Sequence, residues 1–147
     1  MKKIILGILV AIIIIVGAYY TYASNLETNP FSIDMSKTVV EDAAPSLLGT
    51  HQTYYFHLQN VSNKTVALIG AKVDGYGGIS VGPITTQNKV LNDVVIPSSL
   101  VGSSTDGKGI ICNYNVVIDK PQITNPQRVI LTYEYLGIRH QQTVELP

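Results

Sequence analysis

Tryptophan is absent from this chain and cysteine occurs once. A single cysteine permits no intramolecular disulfide, and neither a CxxC pair nor a Cys/His spacing is present that would build a structural zinc site. A domain made from this sequence must therefore be held by its apolar core. Charge is also scarce: only 14% of the 147 residues are charged, with 10 basic and 10 acidic side chains in balance. Two of the basic residues, Lys2 and Lys3, stand at the extreme N-terminus, which leaves 8 basic against 10 acidic residues in the rest, a net of −2. Those charges are scattered rather than clustered, so the footprint of a nucleic-acid binder is missing and no nucleic-acid partner is expected. No Lys or Arg occurs between Lys3 and Lys37.

That interval without basic residues takes in all but the first three residues of the most distinctive segment of the chain, "MKKIILGILVAIIIIVGAYYTYAS". Ile4 to Tyr22 is a continuous apolar block of 19 residues. As a helix it would reach roughly 28 Å, close to the roughly 30 Å hydrocarbon core of a bilayer. Isoleucine-rich runs favour strands in water, but in lipid only a helix satisfies its own backbone within one segment. Lys2 and Lys3 on one side, with no basic residue soon after the other, place the N-terminus in the cytoplasm and the remainder outside. Tyr19, Tyr20 and Tyr22 cluster at the outer end, where amphipathic rings favour the membrane interface. The expectation is a single-pass anchor in the plasma membrane. The alternative is a secretory signal peptide cut after Ala23, with Lys2 and Lys3 as its charged region and "YTYAS" as the small-residue site. The run exceeds the usual apolar region of about 7 to 15 residues in a signal peptide, which favours retention. A pilin-type leader would need Gly or Ala directly after the basic residue, and here Ile4 follows Lys3.

Residues 25–30, "NLETNP", read as a short polar linker, and residues 31–147 as one extracytoplasmic domain. From Phe31 the pattern has period 2, with Phe31, Ile33 and Met35 alternating with polar residues. "HQTYYFHLQN" repeats it with Tyr54, Phe56 and Leu58 on one face, and "TVALIGAKV" is apolar on both faces through its middle, as a central strand would be. "GISVGPI", "KVLNDVVI", "GIICNYNVVI", "RVILTYEY" and "IRHQQTVEL" follow, separated by "DGYGG", "PSS", "STDGKG", "DKPQ" and "NPQ". About eight short strands without an amphipathic helix predict an all-β antiparallel sandwich of 7 to 8 strands behind the N-terminal helix. The last two strands predict their own register. A turn on Leu136 and Gly137 sets Tyr135 opposite Ile138, Tyr133 opposite His140 and Val129 opposite Val144, and pairs Glu134 with Arg139 and Arg128 with Glu145. Leu136 suits the first position of a mirror-image hairpin turn poorly, so the alternative is a longer loop with shifted pairing.

The stretch "YYFHLQNVSNKTVALIGAKV" and the ending "LTYEYLGIRHQQTVELP" resemble the opening strands and closing hairpin of immunoglobulin-like modules on prokaryotic cell surfaces. The antibody form, with its Cys…Trp…Cys core, is excluded by composition. The resemblance implies an immunoglobulin-like fold and carries no functional residues with it.

Few residues invite chemistry. Cys112 shares its strand face with Ile110, Tyr114, Val116 and Ile118, which makes it a buried, inert thiol rather than a nucleophile or copper ligand. His51 and His57 point the same way but lie about 20 Å apart along an extended strand, so they cannot share an ion, and His140 reads as a packing residue opposite Tyr133. "DGYGGISVG" has strand signals on both sides and reads as a turn rather than a phosphate cradle. Ser98, Ser99, Ser103 and Ser104 have no nucleophile elbow around them. Asn60-Val61-Ser62 and Asn63-Lys64-Thr65 are acceptor sequons, which makes Asn60 and Asn63 candidate glycosylation sites in a loop. No enzyme activity, metal or cofactor is expected. The expectation is a membrane-anchored binding or accessory module at the cell envelope, with a protein partner or self-association outside the membrane. The alternatives are a structural subunit of a surface filament or layer, joined through an edge strand, and a secreted sandwich after cleavage at Ala23.

Overall fold

The apolar N-terminal block is helical, and everything described after residue 30 is built from antiparallel strands. The computed structural model of the chain describes residues 2–24, 29–33, 48–87, 89–92, 94–96 and 109–146. Helix α1 spans Lys2–Ser24, and every side chain from Lys3 to Tyr22 is exposed, so its apolar surface has no partner among the described residues along most of its length. Near its C-terminal end the Thr21 hydroxyl donates to the Gly17 carbonyl at 2.8 Å, the usual way a threonine within a helix satisfies itself.

Ten strands follow among the described residues: β1 Phe31–Ile33, β2 His51–Asn60, β3 Val66–Asp74, β4 Ile79–Val81, β5 Thr85–Thr86, β6 Lys89–Val90, β7 Val94–Ile96, β8 Ile110–Ile118, β9 Arg128–Tyr135 and β10 Ile138–Glu145. The excess over the expected 7 to 8 comes from short pieces: "KVLNDVVI" divides into β6 and β7, and β5 forms at Thr85–Thr86, just after "GISVGPI", which supplies only β4. The alternation expected as far as Met35 is seen for Phe31–Ile33, and the remainder lies outside the described residues.

One sheet runs β1-β2-β8-β5-β6, with β4 also against β8, and the other runs β10-β9-β3-β7. The immunoglobulin pattern sets strands A, B, E and D in one sheet and C, F and G in the other. Here β1, β2, β8 and β5 fill the first set and β3, β9 and β10 the second, with β7 added beside β3. The fold is thus an immunoglobulin-like sandwich with an extra excursion. In chain order β7 falls between β6 and β8, so the chain crosses to the second sheet and back.

Period-2 patterning explains the core. On β2, Tyr54, Phe56 and Leu58 face inward, and their register partners on β8 are Tyr114, Cys112 and Ile110. Leu68 and Val73 of β3 and Val129, Leu131 and Tyr133 of β9 close the core from the other sheet. Each fully buried side chain of this size contributes about 1.5–3 kcal/mol. Phe31 meets Tyr133 edge-to-face across the sandwich, with centroids 5.5 Å apart at 82°.

Strand β3 departs from the sequence reading. Its pairing with β9 shifts between Leu68 and Gly70, so Ile69 is an extra residue in a bulge. The bulge switches the parity of the strand: Val66 and Leu68 point inward before it, Ala71 and Val73 after it. The run is central in its sheet, but its two-faced apolar look comes from that switch.

The β9–β10 hairpin has the register expected from its two faces, from Ile138 opposite Tyr135 to Glu145 opposite Arg128. Its turn places Leu136 at φ 50° and Gly137 at φ 78°, the two left-handed residues of a mirror-image turn. Leucine is disfavoured there by roughly 1–2 kcal/mol. Leu136→Asn should therefore raise stability by about 0.5–1 kcal/mol, read as a higher denaturant midpoint for the full chain in detergent; an unchanged or lower midpoint would show that the turn is not strained.

The two charge pairs expected on the hairpin differ in outcome. Arg139 Nε lies 3.9 Å from a Glu134 carboxylate oxygen with both side chains well exposed, a weak pair. Arg128 stands opposite Glu145, yet its guanidinium turns to β3, where Nε and Nη2 reach Asp74 Oδ2 at 2.8 and 2.7 Å. Asp74 is the register partner of Arg128 on that side. The Arg128 hydrogen bond, helped by the Gly75 backbone N–H, holds the Asp74 carboxyl below its ordinary value.

Candidate functional site

The residues that sequence singles out separate into an inert interior, a neutral groove and a cluster where helix and sandwich meet. Cys112 is fully buried, and burial pushes its thiol up to about 12. Since the thiolate is the reactive form, labelling should be negligible at pH 8 in the native chain and complete in denaturant. Rapid native labelling with a thiol reagent would contradict this packing. Tyr114, beside it on the same face, is also pushed up, first by burial and then by Tyr54, whose ring lies 5.5 Å away.

The histidines are not brought together. His51 begins β2 and His57 lies six residues along it, and His140 is on the other sheet, stacked on Tyr133 at 5.3 Å and 18°. His57 is buried, and its ring closes over Gly109: a Cβ there would stand 2.8 Å from His57 Nε2 and 2.5 Å from the Leu58 carbonyl oxygen. Among the described residues no three His, Cys, Asp or Glu side chains converge on a metal-sized space. Ser98, Ser99, Ser103 and Ser104 lie outside the described residues.

"DGYGGISVG" is a turn between β3 and β4, with Gly75 and Gly78 at positive φ and Gly77 bridged to Thr124. On the outer face of the first sheet, Tyr55, Thr86, Gln87, Ile110, Ile111 and Asn113 line a groove of about 370 Å³. Tyr55 and Ile111 are 46% and 65% exposed, and the Thr85 hydroxyl ties β5 to the Asn113 amide oxygen. The lining residues carry no formal charge.

The two sequons have different environments. Asn63 is exposed. Asn60 ends β2 and is fully buried; its amide nitrogen donates to the Lys64 and Ile96 carbonyls at 2.7 and 2.9 Å, and its oxygen accepts from the Ser62 N–H and hydroxyl at 3.1 and 2.7 Å. In the folded chain that nitrogen is committed to the β2–β3 turn. Sequence reasoning missed this role because a sequon and a buried turn clamp look alike in one dimension.

Of the residues expected at the membrane interface, Tyr19 and Tyr22 meet the sandwich and the others do not. Lys3 lies at the far end of α1, Tyr20 is exposed, and Tyr19 and Tyr22 reach the sandwich. The Tyr19 hydroxyl donates to the Leu136 carbonyl at 2.9 Å. The Lys64 ammonium stands 5.8 Å from the Tyr22 ring centre and 5.2 Å from that of Tyr135. Ala23 is fully buried, and α1 continues past it to Ser24. By length and composition Lys3–Ala23 qualifies as a membrane span or a secretory signal. Gln142, another buried polar residue that sequence analysis passed over, seals the edge between the sheets: its amide accepts from Phe31 N–H at 2.9 Å and donates to Phe31 C=O at 2.6 Å. No protein-family model and no curated protein matches the chain.

Proposed function

We propose that the chain is a single-pass plasma-membrane protein, N-terminus in the cytoplasm, whose immunoglobulin-like sandwich binds or supports another component at the cell envelope. The observation that carries this reading is the juncture of an exposed apolar helix of 21 residues with the domain through Tyr19, Tyr22 and Ala23. A segment destined for removal has no need of a seat on the mature domain. The charge bias of Lys2 and Lys3 supports the orientation. The uncharged groove around Tyr55 and Ile111 supports recognition rather than turnover.

Intact mass and N-terminal sequencing of the native protein from separated membrane and soluble fractions test the anchor. A membrane-bound chain beginning at Met1 or Lys2 is expected. A soluble chain beginning at Ser24 would replace the anchored module with a secreted sandwich. With the anchor retained, mild detergent extraction should bring down a stoichiometric protein partner, and Ile111→Glu should release it; a clean monomer would overturn the accessory role.

A further inference from the structure

Two turns lie at the end of the sandwich nearest α1, and both expose a large apolar residue where turns are ordinarily polar. Val61, in the β2–β3 turn, is 40% exposed, and Leu136, in the β9–β10 turn, is 42% exposed. We infer that this end is a second membrane-contact surface, lying on the lipid interface beside α1 with Val61 and Leu136 in the interfacial layer and the Lys64 ammonium at the level of the lipid phosphates. The inference rests on the anchored reading above.

Depth is the first reason. Counting about 20 residues from Ile4 for the hydrocarbon core brings its outer boundary close to Ala23, one helical turn beyond Tyr19. Tyrosine rings at such a boundary extend their hydroxyls toward the headgroups. The Tyr19 hydroxyl is bonded to the Leu136 carbonyl, so the hairpin tip shares that level.

Chain length is the second, and it is independent of the first. From Ser24 to Pro30 the backbone spans at most about 22 Å. Pro30 is buried, and its carbonyl accepts from the Val61 N–H at 2.7 Å. The domain therefore begins at the Val61 turn, and that turn is held close to the end of the helix.

Composition is the third. A cation between two tyrosine rings, flanked by exposed Val and Leu, is the side-chain mixture of a membrane interface. Leu136 also holds a left-handed backbone that asparagine or glycine would adopt more readily. An apolar side chain kept at that cost is explained by contact with lipid.

The chain has no tryptophan, so one introduced residue reports one position. Three variants of the full chain, Ile13→Trp, Val61→Trp and Lys120→Trp, would be reconstituted in phosphatidylcholine vesicles without bromine and with it, placed high on the acyl chains for positions 61 and 120 and near their methyl ends for position 13. Lys120 is exposed just past the end of β8, at the opposite pole from Val61. A protected Cys112 thiol verifies folding of each variant. Severalfold stronger bromolipid quenching of Val61→Trp than of Lys120→Trp, with Ile13→Trp quenched, is the expected result. Quenching at position 13 with positions 61 and 120 alike would overturn the inference and leave the anchor standing. An unquenched Ile13→Trp would remove the anchored reading and this inference with it.

Discussion

Gly78→Ala should cost the sandwich at least about 3 kcal/mol, or prevent its folding, while Gly137→Ala costs only about 1 kcal/mol. Both glycines have positive φ, 69° and 78°, so both substitutions carry the same backbone penalty. They differ in what a side chain would meet. At Gly137 a Cβ finds nothing within 4 Å, whereas at Gly78 it would stand 2.1 Å from the Gln122 carbonyl oxygen and 3.3 Å from the Ile123 Cα. These are backbone atoms, and no rotamer relieves the overlap. Displacing Gly78 would also disturb its carbonyl, which accepts from the Asp119 and Lys120 N–H groups at 3.0 Å each, and the neighbouring Gly77–Thr124 bridge. Denaturant titration followed by circular dichroism gives both values. Equal losses at the two glycines would show that the segment of residues 122–124 does not press on the turn as described.

Asn60→Asp should be nearly as damaging, by about 3–5 kcal/mol at pH 7. The substitution keeps the size and the acceptor facing Ser62, but it turns the donor aimed at the Lys64 and Ile96 carbonyls into a second acceptor. Burial and the two carbonyls both oppose the carboxylate, so the folded-state pKa of the new carboxyl lies above its unfolded value of about 3.9. The native state then holds a proton that the unfolded state has released. Stability of the variant, relative to the parent, is therefore lost as pH rises from about 3.9 through the folded pKa, and partly returns below it. A denaturation series from pH 3.5 to 7 measures this. A deficit that does not change with pH would mean that the site relaxes to admit water around the new carboxylate.

Neither residue carries its role on its face. The turn character of "DGYGG" is legible from its glycines, but which of them cannot bear a side chain depends on residues 122 and 123, more than forty positions away. Asn60 reads as a sequon because its neighbours are Val61 and Ser62; its clamp on Ile96 exists only once β7 has crossed to β3. Arg128 is similar. The hairpin offered it Glu145, and β3, on its other side, supplied Asp74 at better geometry.

The features that sequence alone determined are those governed by short range and strong periodicity. They include the helical apolar block with Lys2 and Lys3 behind it, the inward faces of β2 and β8, the buried Cys112, and the β9–β10 register in which both faces agree. A one-residue slip there would exchange the inside and outside of the hairpin, so only one pairing satisfies the pattern. Tertiary structure decided the matters in which several partners competed for one group: the bulge at Ile69, the closure of the sheet edge by Gln142 on Phe31, the clamp at Asn60, and the seating of Tyr19 and Tyr22 against Leu136 and Lys64. A backbone carbonyl accepts from any donor that reaches it, and which donor reaches it is set by the packing of strands distant in sequence.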